Sequence, residues 1–218
     1  MLTMLILETI YMFLIVLPSL LIFWRIQRLY HFSKYHGMQY LSLGFLMLAA
    51  GFVARYIVML TRLGDAGTIQ ELSMLTTVMS FLIVLAGFFL LYSTIWQKME
   101  KRHYGRTWMP IALLGALSLL VACVDQYRGT LLFMYLSQIL VFSFAASVSL
   151  QKYLRKRNNY RQLYFISMTL FLFVWIINAV AQYTIDAFPF MRLYAYAFTV
   201  AACTTMLFIV IKLTRDRS

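Results

Sequence analysis

Acidic side chains are scarce in this chain. Seven aspartates and glutamates stand against nineteen lysines and arginines in 218 residues, and charged residues of both signs make up only 12%. A soluble domain needs roughly a quarter of its residues charged to cover a wet surface, so a water-soluble globule is excluded. Two cysteines, Cys123 and Cys203, fall in separate apolar segments. They are too few for a disulfide scaffold and read as inert buried thiols. Prolines number three, which leaves long stretches free of helix breakers. No glycine-rich phosphate loop, zinc-protease motif or nucleophile elbow occurs, and an intrinsic enzyme activity is not expected.

Two further absences concern depth within the apolar segments. Every lysine (Lys34, Lys98, Lys101, Lys152, Lys156 and Lys212) reads as lying at a segment end or in a connection. A retinal Schiff base needs a buried amine, so that chemistry is excluded. His31, His36 and His103 also fall in connections, which leaves no imidazole to hold haem or a metal. Neither cofactor nor metal is expected.

What the chain does have is apolar length. Hydrophobic residues make up 63% and mean hydropathy is +0.80. The apolar runs predict helices at about 5–24, 38–59, 72–97, 107–124, 130–151, 162–184 and 191–211, each near the ~20 residues that a bilayer crossing needs. Period-two alternation is missing, so a barrel is excluded. The expected fold is an all-α, seven-helix transmembrane bundle forming one domain over 1–218. The first run lacks a basic start and a small-residue cleavage site, and reads as a retained helix.

Charge then sets the orientation. Basic residues crowd alternate connections: Arg25, Arg28 and Lys34; Lys98, Lys101, Arg102 and Arg106; Lys152, Arg155, Lys156, Arg157 and Arg161; and Lys212, Arg215 and Arg217 in the tail. Positive residues are retained on the cytoplasmic side, which predicts an outside N-terminus and a cytoplasmic C-terminus in a cell membrane. The net charge of +12 is therefore a topology signal and points to no nucleic acid. The basic face is expected to attract anionic lipid, at about 1 kcal/mol per basic residue. Aligning the second helix with the sixth sets Ala54-Arg55-Tyr56 beside Ala181-Gln182-Tyr183, which raises a parallel repeat of three helices, a linking fourth and three more.

Polar residues in the outer third of the spans are the candidate site. Glu8, Arg55, Asp125, Asn178 and Gln182 fall at similar depth, where burial in lipid is costly unless they face each other or water. Asn178, Gln182 and Asp186 are successive steps of four on one helical face, with Trp175 one turn deeper. Thr76 and Ser80 share the same spacing in the third helix. Together they predict an outward-facing polar cup for a small-molecule ligand, with Glu8 and Arg55 paired at its rim. The alternative is that the charges snorkel to headgroups while Asn178 and Gln182 bond neighbouring helices.

The stretch Tyr40-Leu41-Ser42-Leu43-Gly44-Phe45-Leu46-Met47-Leu48-Ala49-Ala50-Gly51-Phe52 resembles the seven-helix sensor modules at the front of some prokaryotic histidine kinases. The resemblance implies a receptor- or sensor-like module with an outside N-terminus. No kinase region follows, so such a module would signal to a separate cytoplasmic partner. The three-one-three layout is also similar to the SWEET sugar transporters, which implies a small-solute transporter or channel. That family places a proline in each rocking helix pair, whereas here only Pro18 and Pro110 lie within spans. A third reading is a non-catalytic subunit of a larger membrane complex.

Overall fold

The computed structural model describes residues 2–33, 36–63, 68–99, 108–183 and 191–215. Within them all regular secondary structure is helical: α1 (Leu2–Ser33), α2 (His36–Leu63), α3 (Ile69–Met99), α4 (Trp108–Arg128), α5 (Leu132–Arg155), α6 (Asn159–Tyr183) and α7 (Met191–Arg215). All seven are long and apolar enough to cross a bilayer. The chain is a multi-pass integral membrane protein. Helices satisfy their own backbone groups, which hydrocarbon cannot do for them.

Local chemistry sets several boundaries. Thr68 and Glu71 form a reciprocal capping box at the start of α3, with the Thr68 amide on Glu71 Oε2 at 2.9 Å and the Glu71 amide on Thr68 Oγ1 at 3.3 Å. At the end of α4, Gly129 has a φ of 64°, which glycine adopts without a Cβ clash. There the Gly129 amide donates to the Gln126 carbonyl and the Thr130 amide to that of Asp125, the paired bonds that close a helix C-terminus. Pro110 falls in the first turn of α4, where a missing N–H costs nothing. Pro18 sits inside α1 and removes one backbone bond there.

Neighbour packing makes a closed ring in the order α1, α2, α3, α5, α6, α7 and back to α1, with α4 outside against α3 and α5. On α4 the buried residues Leu114, Ser118, Ala122 and Asp125 form one stripe, while Met109, Leu113, Leu117 and Leu120 are exposed. Cys123 also lies on the exposed surface and only Cys203 is buried, both as free thiols, which corrects the expectation that both are enclosed. On α1, Tyr11, Ile15, Ile22 and Ile26 point inward while Ile6, Ile10, Phe13 and Leu17 point out. Exposed apolar faces of this kind need lipid as their solvent.

The α2–α3 seam depends on two glycines seven residues apart. A Cβ on Gly44 would lie 3.0 Å from Leu90 Cγ, and one on Gly51 would lie 2.8 Å from Ile83 Cγ1. Missing side chains let the two backbones approach closely, so Leu90 and Ile83 fill the space they leave. Gly51→Leu should therefore lower stability by about 1–3 kcal/mol through overpacking. Thermal unfolding in detergent checks this, with Gly115→Leu as a control, because a Cβ on Gly115 meets nothing within 4 Å.

Candidate functional site: a polar cup at the N-terminal end of the bundle

Hydrocarbon offers polar groups no partners, so those on separate helices converge inside the ring. At the end of the bundle that carries the N-terminus, Glu8 of α1 meets Arg55 of α2 at 3.4 Å. Arg55 Nη2 also donates to the Tyr196 hydroxyl of α7 at 3.2 Å, and that hydroxyl donates in turn to Glu8 Oε1. The guanidinium stands 5.5 Å from the ring centres of both Tyr11 and Tyr196, within cation–π range. Those rings stack at 3.8 Å, and Tyr11 donates to Thr199 Oγ1 at 3.1 Å. Three helices are thereby tied by one cluster with both charges answered.

Beside the cluster lies a cavity of about 210 Å³. Its polar lining includes Glu8, Arg55, Arg62, Thr76, Asn178 and Gln182, and its apolar lining includes Met79, Ile83, Met134 and Val174, with Trp175 among them. The Asn178 amide donates to the carbonyl of Val174 at 3.0 Å, which leaves its side-chain oxygen as an acceptor. Thr76 donates to the Leu72 carbonyl and keeps its oxygen lone pairs. Trp175 is buried, and its Nε1 has no hydrogen-bond partner among the described residues. An indole N–H at a cavity wall is a donor waiting for an acceptor.

Six of the residues expected to form a cup thus line one space: Glu8, Arg55, Thr76, Trp175, Asn178 and Gln182. The other three do not join them. Asp125 accepts the amides of Phe133 at 2.8 Å and Met134 at 2.7 Å, so it caps the first turn of α5 from the end of α4. Leu131, at the cap position itself, has no side-chain acceptor to offer. Ser80 is buried, its hydroxyl unpartnered among the described residues, and it is not part of the cavity wall. Asp186 lies outside the described residues.

Tyr11, Tyr196, Tyr135 and Arg62 belong to this end of the bundle but are not prominent in the sequence. A tyrosine near a helix end has the same signature whether it anchors to headgroups or turns inward, and only the ring packing separates the two. Thr9 with Tyr56, at 2.8 Å, is another inter-helix bond of this kind.

Below the cup the bundle is closed. Phe45, Leu90, Phe142, Met168, Phe171 and Met206 are fully buried in the interior, and Phe142 stacks on Phe171 at 5.3 Å. Gln138, just beneath, is also fully buried, with no partner for its amide among the described residues, and it fills the space where a Gly87 side chain would be. Comparison with protein families, with curated proteins and with solved structures finds no match.

Two experiments separate scaffold from cup. Asp125→Ala should cost about 1 kcal/mol, a typical loss for a helix cap, and leave the Glu8–Arg55 cluster intact. Glu8→Gln and Arg55→Met, combined in a double-mutant cycle, should give a coupling of about 1–3 kcal/mol, the range for contacting polar partners. Detergent unfolding curves measure both.

Proposed function

We propose that the chain is a receptor- or sensor-like membrane module that binds a small molecule in this cup and passes the event to a separate cytoplasmic partner. The closed floor carries the reading: the phenylalanine and methionine layer ends the cavity inside the bundle, as a binding pocket requires. The positive-inside bias supports an N-terminus and a cup facing outward from the cell membrane, with Arg25, Arg28, Arg155 and Arg157 on the cytoplasmic side. The mixed lining favours a ligand with an apolar body and an acceptor for Trp175 Nε1. Signalling without a catalytic step agrees with the absence of nucleophile and phosphate-loop motifs.

A second reading, a small-solute transporter, draws on a different observation. Exchanging α1–α3 with α5–α7 maps the α3–α5 seam onto the α7–α1 seam and leaves α4 as the linker, the arrangement expected of two parallel repeats. A further cavity lies at the opposite end of the bundle, as alternating access from the two sides would need.

The two readings separate in one preparation. With Trp24, Trp96 and Trp108 replaced by phenylalanine, Trp175 remains as the sole indole, and its emission should change saturably on screening small polar-apolar solutes against protein in proteoliposomes. Asn178→Leu and Arg55→Leu should weaken the response about tenfold or more, the usual effect of losing a buried polar contact. Solute accumulation inside the vesicles would favour transport over sensing. A response unchanged in both folded variants would leave the cup a purely structural feature.

A further inference from the structure

The cavity at the C-terminal end of the bundle differs in chemistry from the cup. It measures about 260 Å³ and is lined from five helices: Gly37, Met38 and Leu41 of α2, Ser93 and Thr94 of α3, Ser149 and Lys152 of α5, Tyr160, Arg161 and Tyr164 of α6, and Ile209 and Leu213 of α7. None of its described lining residues is acidic, and two are cationic. The sequence places Lys152 and Arg161 in a connection, yet α5 continues through Arg155 and α6 begins at Asn159. Both cations are therefore helical and held against the interior wall.

Their positions are fixed by bonds to backbone. Lys152 Nζ donates to the Thr94 carbonyl of α3, and Arg161 Nη1 donates to the Lys152 carbonyl at 3.0 Å. An arginine held by one nitrogen still has four N–H groups in a planar fork, the arrangement that matches phosphate oxygens. Around it stand the hydroxyls of Ser93, Ser149, Thr94 and Tyr164, the last two joined at 2.7 Å. The first turns of α2 and α6 also meet here, through Gly37 and Met38 and through Tyr160 and Arg161. A first helical turn carries the positive end of the helix dipole, although at α6 the Tyr160 amide is already taken by Asn158 Oδ1 at 3.2 Å. Gly37 adds no side chain to block an approaching oxygen. On the apolar side Met38, Leu41, Ile209 and Leu213 are available to methylene groups.

We propose that this cavity is a phosphate site, occupied by the phosphate of an anionic lipid headgroup or of a free phosphorylated small molecule. Lys152 and the free N–H groups of Arg161 hold the anion, the hydroxyls being already committed to the Leu90 and Ala146 carbonyls and to one another, and the aliphatic wall admits the carbon chain beside it. The site shares no residue with the cup among the described residues, and it stands whether or not the cup binds anything.

The test uses the full chain in neutral detergent, with a short-chain phosphatidylglycerol and inorganic phosphate as probes. Native mass spectrometry and calorimetric titration read the binding. The lipid probe should bind saturably at one per chain, and Arg161→Gln should weaken it about tenfold or more, as loss of a charged hydrogen bond does. Arg157→Gln, at an exposed position in the connection, should change it less than about twofold, as surface charges do. Arg161→Lys, which keeps the charge, and Lys152→Gln extend the series if Arg161→Gln does not fold. Displacement of the lipid by inorganic phosphate assigns the site to a free phosphorylated ligand, and lipid binding that phosphate does not displace assigns it to a headgroup. Equal losses in Arg161→Gln and Arg157→Gln, or no saturable binding of either probe, would overturn the proposal.

Discussion

Hydrocarbon cannot hydrogen-bond, and most of this molecule follows from that. Away from the helix ends, backbone groups find their partners inside their own helix, which accounts for seven helices among the described residues. Polar side chains then turn mainly to the headgroup level, to helix backbone carbonyls, or to another polar group inside the ring. The hydroxyls of Thr61, Thr77, Ser147 and Thr204 take the second, bonding carbonyls three or four residues earlier. Glu8, Arg55 and Tyr196 take the third. The result is a bundle whose apolar waist separates two polar ends.

The waist gives the two ends separate identities. At one end a carboxylate answers the arginine that two tyrosine rings approach, so the charge there is largely internal. At the other, the charged wall residues are cations braced on carbonyl oxygens. The first arrangement suits a ligand recognised by shape and a few hydrogen bonds. The second suits an anion.

Helix number and class were legible in the sequence because apolar length is a strong signal and seven runs of bilayer length leave few alternatives. The cup was legible in part. The step of four from Asn178 to Gln182, with Trp175 one turn deeper, falls on three side chains that line one cavity. Depth alone could not distinguish Asp125, which lies nearly as far from the basic end of its helix as Arg55 does but faces the start of the next helix. Nor could hydropathy find where α5 ends, because the helix runs on through Lys152 and Arg155 into charged sequence. A lysine near a helix end reads as solvated, and only its bond to the carbonyl of Thr94 shows that it turns back into the protein. The order of the ring, with α4 left outside, has no signature in composition because lipid-facing and protein-facing surfaces are both apolar.

One helix belongs to both ends. Tyr196, near the start of α7, is bonded into the Glu8–Arg55 cluster, while Lys212, near its finish, stands 5.4 Å from the ring of Tyr160 at the basic cavity. Sixteen residues of unbroken helix, about 24 Å at 1.5 Å each, join them. A helix keeps its rise per residue over that length, so the axial positions of Tyr196 and Lys212 are set together and the two polar ends share one ruler.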